Sequence, residues 1–149
     1  PGIAPLCATG ASGVDAVREL IFKIVSQITT SYHDSPLSIG SAGSIKAGDR
    51  LPWVRGDGGG MDNHAPLETM DWQVQVYGEA GDGMRAWCQL HGMPLREFAW
   101  SARHEAAGFA RNAHYLVRPD GHVALCDPGH GPDALAHYFR DRAYRRFCD

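Results

Sequence analysis

Pro119-Asp120-Gly121 stands between two β-rich runs, 114–117 and 122–126, and no other stretch constrains the fold as tightly. Proline presets φ at the start of the turn, aspartate caps it and glycine supplies the positive φ that closes it, so the spacing predicts a hairpin over residues 114–126. Downstream, Gly131-Pro132-Asp133 opens a final helix, with proline in the first turn, an acid at the positive end of the dipole, and Leu135, Tyr138 and Phe139 as its apolar stripe. Upstream, Trp72 to Tyr77 alternates apolar and polar side chains, placing Trp72, Val74 and Val76 on one face of a strand that Gly78 and Gly81 close. Met84, Trp87, Cys88 and Leu90 to His91 suit a short helix ending at Gly92, and Pro94 to Trp100 reads as a second strand burying Leu95, Phe98 and Trp100. Ser101 to Asn112 reads two ways: alanine and charge favour a helical turn, and Gly108 weakens it.

The resulting order from residue 70, β-α-β-(α)-β-β-α, requires a right-handed crossover followed by antiparallel strands. This is the element order of the thioredoxin fold, and the fold class expected is α/β with a thioredoxin-like mixed sheet and flanking helices. Before it, Val14, Val17, Ile21, Ile24 and Ile28 step by three and four residues, a core-facing helix seam from about residue 13 to about residue 29 with Ser12 and Asp15 at its cap. Residues 31–69 are rich in Ser, Gly, Pro and Asp and read as a long connecting segment with little regular structure. Gly58 to Gly60 lacks the Lys-Ser/Thr of a P-loop and the flanks of a dinucleotide fingerprint, so loop flexibility is its expected role.

The size, 149 residues, suits one domain, and 44% hydrophobic with 21% charged residues is ordinary for a globular protein with a core. A formal charge of −3 argues against a nucleic-acid binder. Arg140, Arg142, Arg145 and Arg146 read as a solvated helix end rather than a phosphate patch. No apolar run approaches the roughly 20 residues that span a bilayer. A chain opening on Pro1-Gly2 without a signal-peptide pattern reads as processed or truncated. Cys7, Cys88, Cys126 and Cys148 form no CxxC pair, so reduced structural thiols in a cytoplasmic protein are expected.

Thioredoxin-like redox chemistry needs a low-pKa cysteine at the helix N-terminus after the first strand. Gly78 to Gly83 occupies that place without one, and Cys88 falls inside the helix as a core thiol. The histidines, His33, His64, His91, His104, His114, His122, His130 and His137, include no zincin pair. His114 and His122 could approach across the hairpin, as neighbours rather than as a ligand pair, and no Gly-x-Ser-x-Gly elbow occurs. No catalytic, cofactor-binding or metal-ligating residue is assigned.

Three stretches resemble one family. Ser26-Gln27 with Tyr32-His-Asp-Ser-Pro-Leu-Ser38 resembles the segment ending the substrate domain of FAD-dependent aromatic hydroxylases of the phenol-hydroxylase and polyketide-hydroxylase type. Ala47-Gly48-Asp49-Arg50-Leu51-Pro52-Trp53 resembles the entry to their C-terminal domain, and is also similar to the opening of peroxiredoxins. Tyr115 to Ala124 resembles the hairpin near their end. The resemblance implies residues 1–38 as the tail of a substrate domain and 47–149 as a thioredoxin-like C-terminal domain. It implies FAD and NAD(P)H for the parent monooxygenase, none of them bound by this chain, and as partners the parent's FAD and substrate domains or a second copy, with neither nucleic acid nor membrane. The flavin fingerprint is missing, Gly48-Asp49 does not replace the later flavin-ribose motif, and residues 1–13 match nothing in the pattern. The expectation is a non-catalytic structural or dimerisation domain. The alternative is a stand-alone small-molecule binding protein on the same scaffold, with Trp53, Trp72, Trp87 and Trp100 lining an aromatic pocket.

Overall fold

The computed structural model describes residues 34–142, together with Val17. The chain divides into compact units of residues 1–31 and 32–149, and residues 34–142 belong to the second. Apart from Val17, the helix expected over residues 13–29, together with Cys7, His33, Arg145, Arg146 and Cys148, lies outside the described residues.

A two-stranded ribbon, β1 (Ser41–Ala42) and β2 (Ile45–Lys46), precedes the main elements. These are β3 (Gln73–Tyr77), α1 (Asp82–His91), β4 (Leu95–Phe98), α2 (Ala102–Ala106), β5 (His114–Val117), β6 (Val123–Asp127) and α3 (Asp133–Asp141). The four longer strands form a mixed sheet in the order β4-β3-β5-β6. β3 and β4 run parallel, which the α1 crossover permits, and β5 and β6 add antiparallel strands. The order is the one the sequence predicts.

Local chemistry accounts for the boundaries. Gly92 adopts φ 64° and donates its N–H to the Cys88 and Gln89 carbonyls, ending α1 as only a residue tolerant of the left-handed region can. The Ser101 side chain accepts the α2 backbone N–H while His104 reaches back to the Ser101 N–H, a reciprocal cap that settles the ambiguous stretch as a short helix. Gly121, at φ 82°, closes the hairpin with its N–H on the Arg118 carbonyl at 2.9 Å. At the end of α3, Arg142 donates to the Tyr138 carbonyl at 3.1 Å and lies over the Tyr138 ring.

The alternation in β3 puts Val74 and Val76 on one face and Gln73 and Gln75 on the other, and all five residues of the strand are buried. Both faces of the sheet are covered. Val74, Val76, Leu116 and Leu125 pack with Met84 and Cys88 of α1 and Leu135 and Phe139 of α3. On the opposite face Tyr77, Tyr115 and Cys126 pack with Ile45, Leu51, Val54 and Phe109. The second layer is therefore built from the segment that reads as a connector.

Over its described residues that segment is irregular but hydrogen-bonded at many points. Its regular pieces are the β1–β2 ribbon and two 3-10 turns at Asp57–Gly59 and Ala65–Thr69. It runs beside β6: Ile39 N donates to the Ala124 carbonyl at 2.9 Å, Gly48 N to Val123 at 2.7 Å, and Leu51 N to Gly121 at 2.9 Å. Gly40, at φ 85°, lets the chain come so close to β6 that an added Cβ would sit 2.3 Å from the Cys126 carbonyl oxygen.

Candidate functional site

A sheet with this connectivity brings chemistry to the carboxyl ends of its parallel strands, where α1 begins. The β3–α1 turn carries no thiol. Cys88 lies in the second turn of α1, buried, with its Sγ 3.8 Å from the Met84 sulfur. Burial pushes its thiol up to about 12, and burial first, then the charge of Asp49, pushes Cys126 up to about 12. Reactive thiols are shifted the other way.

The signs set the alkaline stability of the protein. An unfolded cysteine loses its proton near 9.0, whereas both folded thiols keep theirs to about 12. Above pH 9 the unfolded state binds fewer protons, so stability, intact below that pH, falls as the pH climbs toward about 12. Tyr115, raised by burial from 10.0 to about 12, and Tyr77, raised by burial, steepen the loss. In a Cys7→Ser/Cys148→Ser background we expect the thermal midpoint to drop steadily above about pH 9, and Cys88 and Cys126 to react with a disulfide reagent only in denaturant. A flat profile through this range, or rapid native labelling, contradicts the buried placement.

The same turn does not fit a flavin pyrophosphate. Its two leading amides are already taken: Asn112 Oδ1 accepts from Glu79 N at 2.9 Å, and Glu97 Oε1 from Ala80 N at 2.8 Å. Glu97 is held by Arg85 at 2.7 Å, and the hydrogen bond from Arg85 keeps its carboxyl below the usual range. The His130 carbonyl closes on Gly81, where an added Cβ would meet it at 2.5 Å. Gly48 and Asp49 bond Val123 on both sides, since Val123 N also donates to the Asp49 carbonyl at 2.8 Å. They stitch the chain to β6.

Among the described residues the histidines do not converge. The β5–β6 register sets His114 opposite Asp127, while His122 lies beyond Val123 at the turn end, paired with Arg50. The expected approach of His114 to His122 across the hairpin therefore does not occur, because a four-residue strand separates them. His114 is buried without a hydrogen-bond partner on either ring nitrogen among the described residues, and burial pulls its pKa below the ordinary histidine value. His64 Nε2 contacts the Leu51 carbonyl at 2.8 Å and His91 Nδ1 the Trp87 carbonyl at 2.9 Å. Among the described residues no three metal-ligating side chains gather.

The four tryptophans do not gather in one place. Trp72 and Trp87 pack on Phe139, at 5.7 Å and 6.3 Å between ring centres, on the α1–α3 side of the sheet. Trp100 stacks on His104 at 6.0 Å on the other side, and Trp53 is exposed.

A cavity of about 650 Å³ opens instead between the edge strand β4 and the glycine-rich turn. Val54, Pro66 and Phe98 give it apolar walls, Arg55 and Arg96 give it cations, and His104 lines it between Trp100 and Tyr77. The backbone N–H of Ser101 donates to His104 Nδ1 at 3.2 Å, so in the neutral ring Nε2 carries the proton. Burial lowers the His104 pKa, which favours that neutral ring. Behind the cavity, buried Asn63 accepts from Val54 N at 2.7 Å and donates to the Pro52 carbonyl at 2.7 Å and the Tyr77 hydroxyl at 2.9 Å. Gln75 Nε2 donates to the Asn63 carbonyl at 2.9 Å and Gln73 Nε2 to that of Pro66 at 3.2 Å. Both glutamines of β3 thus anchor the cavity wall to the sheet. The sequence marks neither Arg55 nor Arg96, since nothing local brings residues 41 positions apart to one pocket; Leu95 and Phe98, as burial candidates of one strand, are the signals it carries.

No family model and no curated protein matches this chain. Solved structures do. The chain is similar to the rebeccamycin biosynthetic enzyme REBC in its substrate-free form, at 22% identity and a TM-score of 0.63, over 92% of this chain and 26% of that one. It is similar to BexE, studied for oxidation during BE-7585A biosynthesis, at 24% identity and a TM-score of 0.56, over 92% and 28%. It is similar to CabE, an aromatic hydroxylase from angucycline biosynthesis, at 20% identity and a TM-score of 0.55, over 92% and 29%. The chain thus has the fold of a segment of these proteins and spans under a third of their length.

Proposed function

We propose that this chain is the closing, thioredoxin-like domain of an FAD-dependent aromatic hydroxylase, structural and dimerising rather than catalytic. The observation that carries the reading is the likeness over 92% of this chain to only 26–29% of three larger proteins, one of them an aromatic hydroxylase. The three family-like stretches at Tyr32–Ser38, Ala47–Trp53 and Tyr115–Ala124 agree with it. On this reading the parent hydroxylates an aromatic compound with NAD(P)H and oxygen in the cytoplasm. Its FAD and substrate domains, or a second copy of this domain, are the partners, and the flavin sits on the parent's other domains. The buried thiols and the self-occupied β3–α1 amides support a role without redox chemistry.

The test is to incubate the purified chain with FAD, pass it through gel filtration, and measure mass by light scattering. The expected result is a dimer eluting without flavin. Stoichiometric flavin retained on the protein overturns the non-catalytic role, and a monomer at every concentration overturns the dimerising one.

A further inference from the structure

We propose that the cavity between β4 and the glycine-rich turn is a binding site for a hydrophobic organic carboxylate. The volume, about 650 Å³, lies within the range of small-molecule sites. The charges decide the class of ligand. Two acids line the cavity, and each is already matched: Asp57 by Arg103 at 2.7 Å and Glu97 by Arg85 at 2.7 Å. Arg55 and Arg96 line the same cavity and stand in no ion pair among the described residues. The wall therefore keeps two guanidiniums free on a protein whose formal charge is −3.

A guanidinium fork matches a carboxylate through two parallel hydrogen bonds, which a neutral amide of the same shape cannot match in strength. His104 adds no competing charge, because its ring is buried, neutral and bonded through Nδ1 to Ser101. Apart from Asn63, whose side-chain amide is already bonded to Val54, Pro52 and Tyr77, the remaining side chains of the wall are apolar: Val54 and Phe98 belong to the core or pack on it, and Met61 is 68% exposed beside them. An anion with an apolar body satisfies both halves of such a surface. A cation meets two like charges, and a sugar leaves the apolar wall uncovered. The site owes nothing to the parent-enzyme reading and stands or falls separately from it, since its test needs neither flavin nor partner.

The experiment is calorimetric titration of the whole 149-residue chain with 2-naphthoate, with neutral 2-naphthamide and 2-naphthylmethylammonium as comparisons. Saturable binding of the carboxylate is expected, about tenfold or more tighter than the amide, with no binding of the ammonium. Arg55→Gln and Arg96→Gln each weaken it by about tenfold, and Arg140→Gln, on α3, leaves it unchanged. Both cavity arginines are exposed, so melting curves of their variants should overlay the parent curve and separate lost binding from lost folding. Equal affinity for amide and carboxylate, indifference to both arginine substitutions, or no saturable binding overturns the proposal.

Discussion

Replacing Asn63 with alanine is expected to lower the unfolding free energy by about 3–5 kcal/mol and to release the second layer of the domain first. Asn63 is 1% exposed, so water offers its partners little replacement. Its loss strands the Val54 N–H and the Pro52 carbonyl, bonded at 2.7 Å each, and removes a donor to the Tyr77 hydroxyl. Each buried group left unmatched costs on the order of 1–3 kcal/mol, which sets the range. The Tyr77 hydroxyl keeps its own bond, donated to Gln75 Oε1 at 2.5 Å, so its share is the smallest. Urea denaturation gives the magnitude, and amide hydrogen exchange locates it. Protection at Val54 should fall to the level of a local opening while β5 and β6 amides keep global protection. The cavity shares this wall, so the variant should also lose carboxylate binding. A loss below about 1 kcal/mol, or uniform weakening of protection, means that Asn63 is not the latch.

The contrast between β3 and the segment that covers it explains what the sequence could reveal. The hairpin around Pro119-Asp120-Gly121, the stop of α1 at Gly92 and the apolar stripe of α3 are all local, and each is legible from spacing and turn chemistry. Residues 34–69 carry no such period, because their order comes from partners far along the chain. Ser44 N donates to the Gly108 carbonyl, Leu51 N to Gly121, and Asn63 reaches Tyr77. For the same reason the burial of Gln73 and Gln75 is not legible in the alternation of β3. Glutamine side chains can be buried when backbone carbonyls receive them, and those of Asn63 and Pro66 do so here. The histidines show the converse error. His114 and His122 stand near each other along the chain, but hairpin register puts His114 at the open end and His122 at the turn end. The cavity lies beyond local reading altogether, since it exists only where β4 and the glycine-rich turn meet in space.

The layer on the other face should fail by a different mechanism. Phe139→Ala is expected to cost about 3–5 kcal/mol and to lower the thermal midpoint by roughly 8–15 °C for a chain of this size. Phe139 is fully buried and meets Trp72 edge-on at 5.7 Å, Tyr138 edge-on at 5.3 Å and Trp87 in a stacked contact at 6.3 Å. Truncation opens a space that three neighbouring rings cannot fill without leaving their own contacts, so the cavity term adds to the lost transfer energy. Leu90→Ala is the internal control: Leu90 is 76% exposed on α1, and its loss should stay within about 0.5 kcal/mol. A Phe139→Ala cost no larger than this control would mean that α3 does not seal the sheet. Asn63 bonds Val54 and Tyr77 on one side of the sheet and Phe139 packs on the other, so their effects should add. A sum of about 6–10 kcal/mol reaches the whole stability of an ordinary domain, and the double variant should be unfolded in the absence of denaturant. Strong non-additivity would instead show that the two layers communicate through β3, whose Val74 and Val76 face one side while Gln75 and Tyr77 face the other.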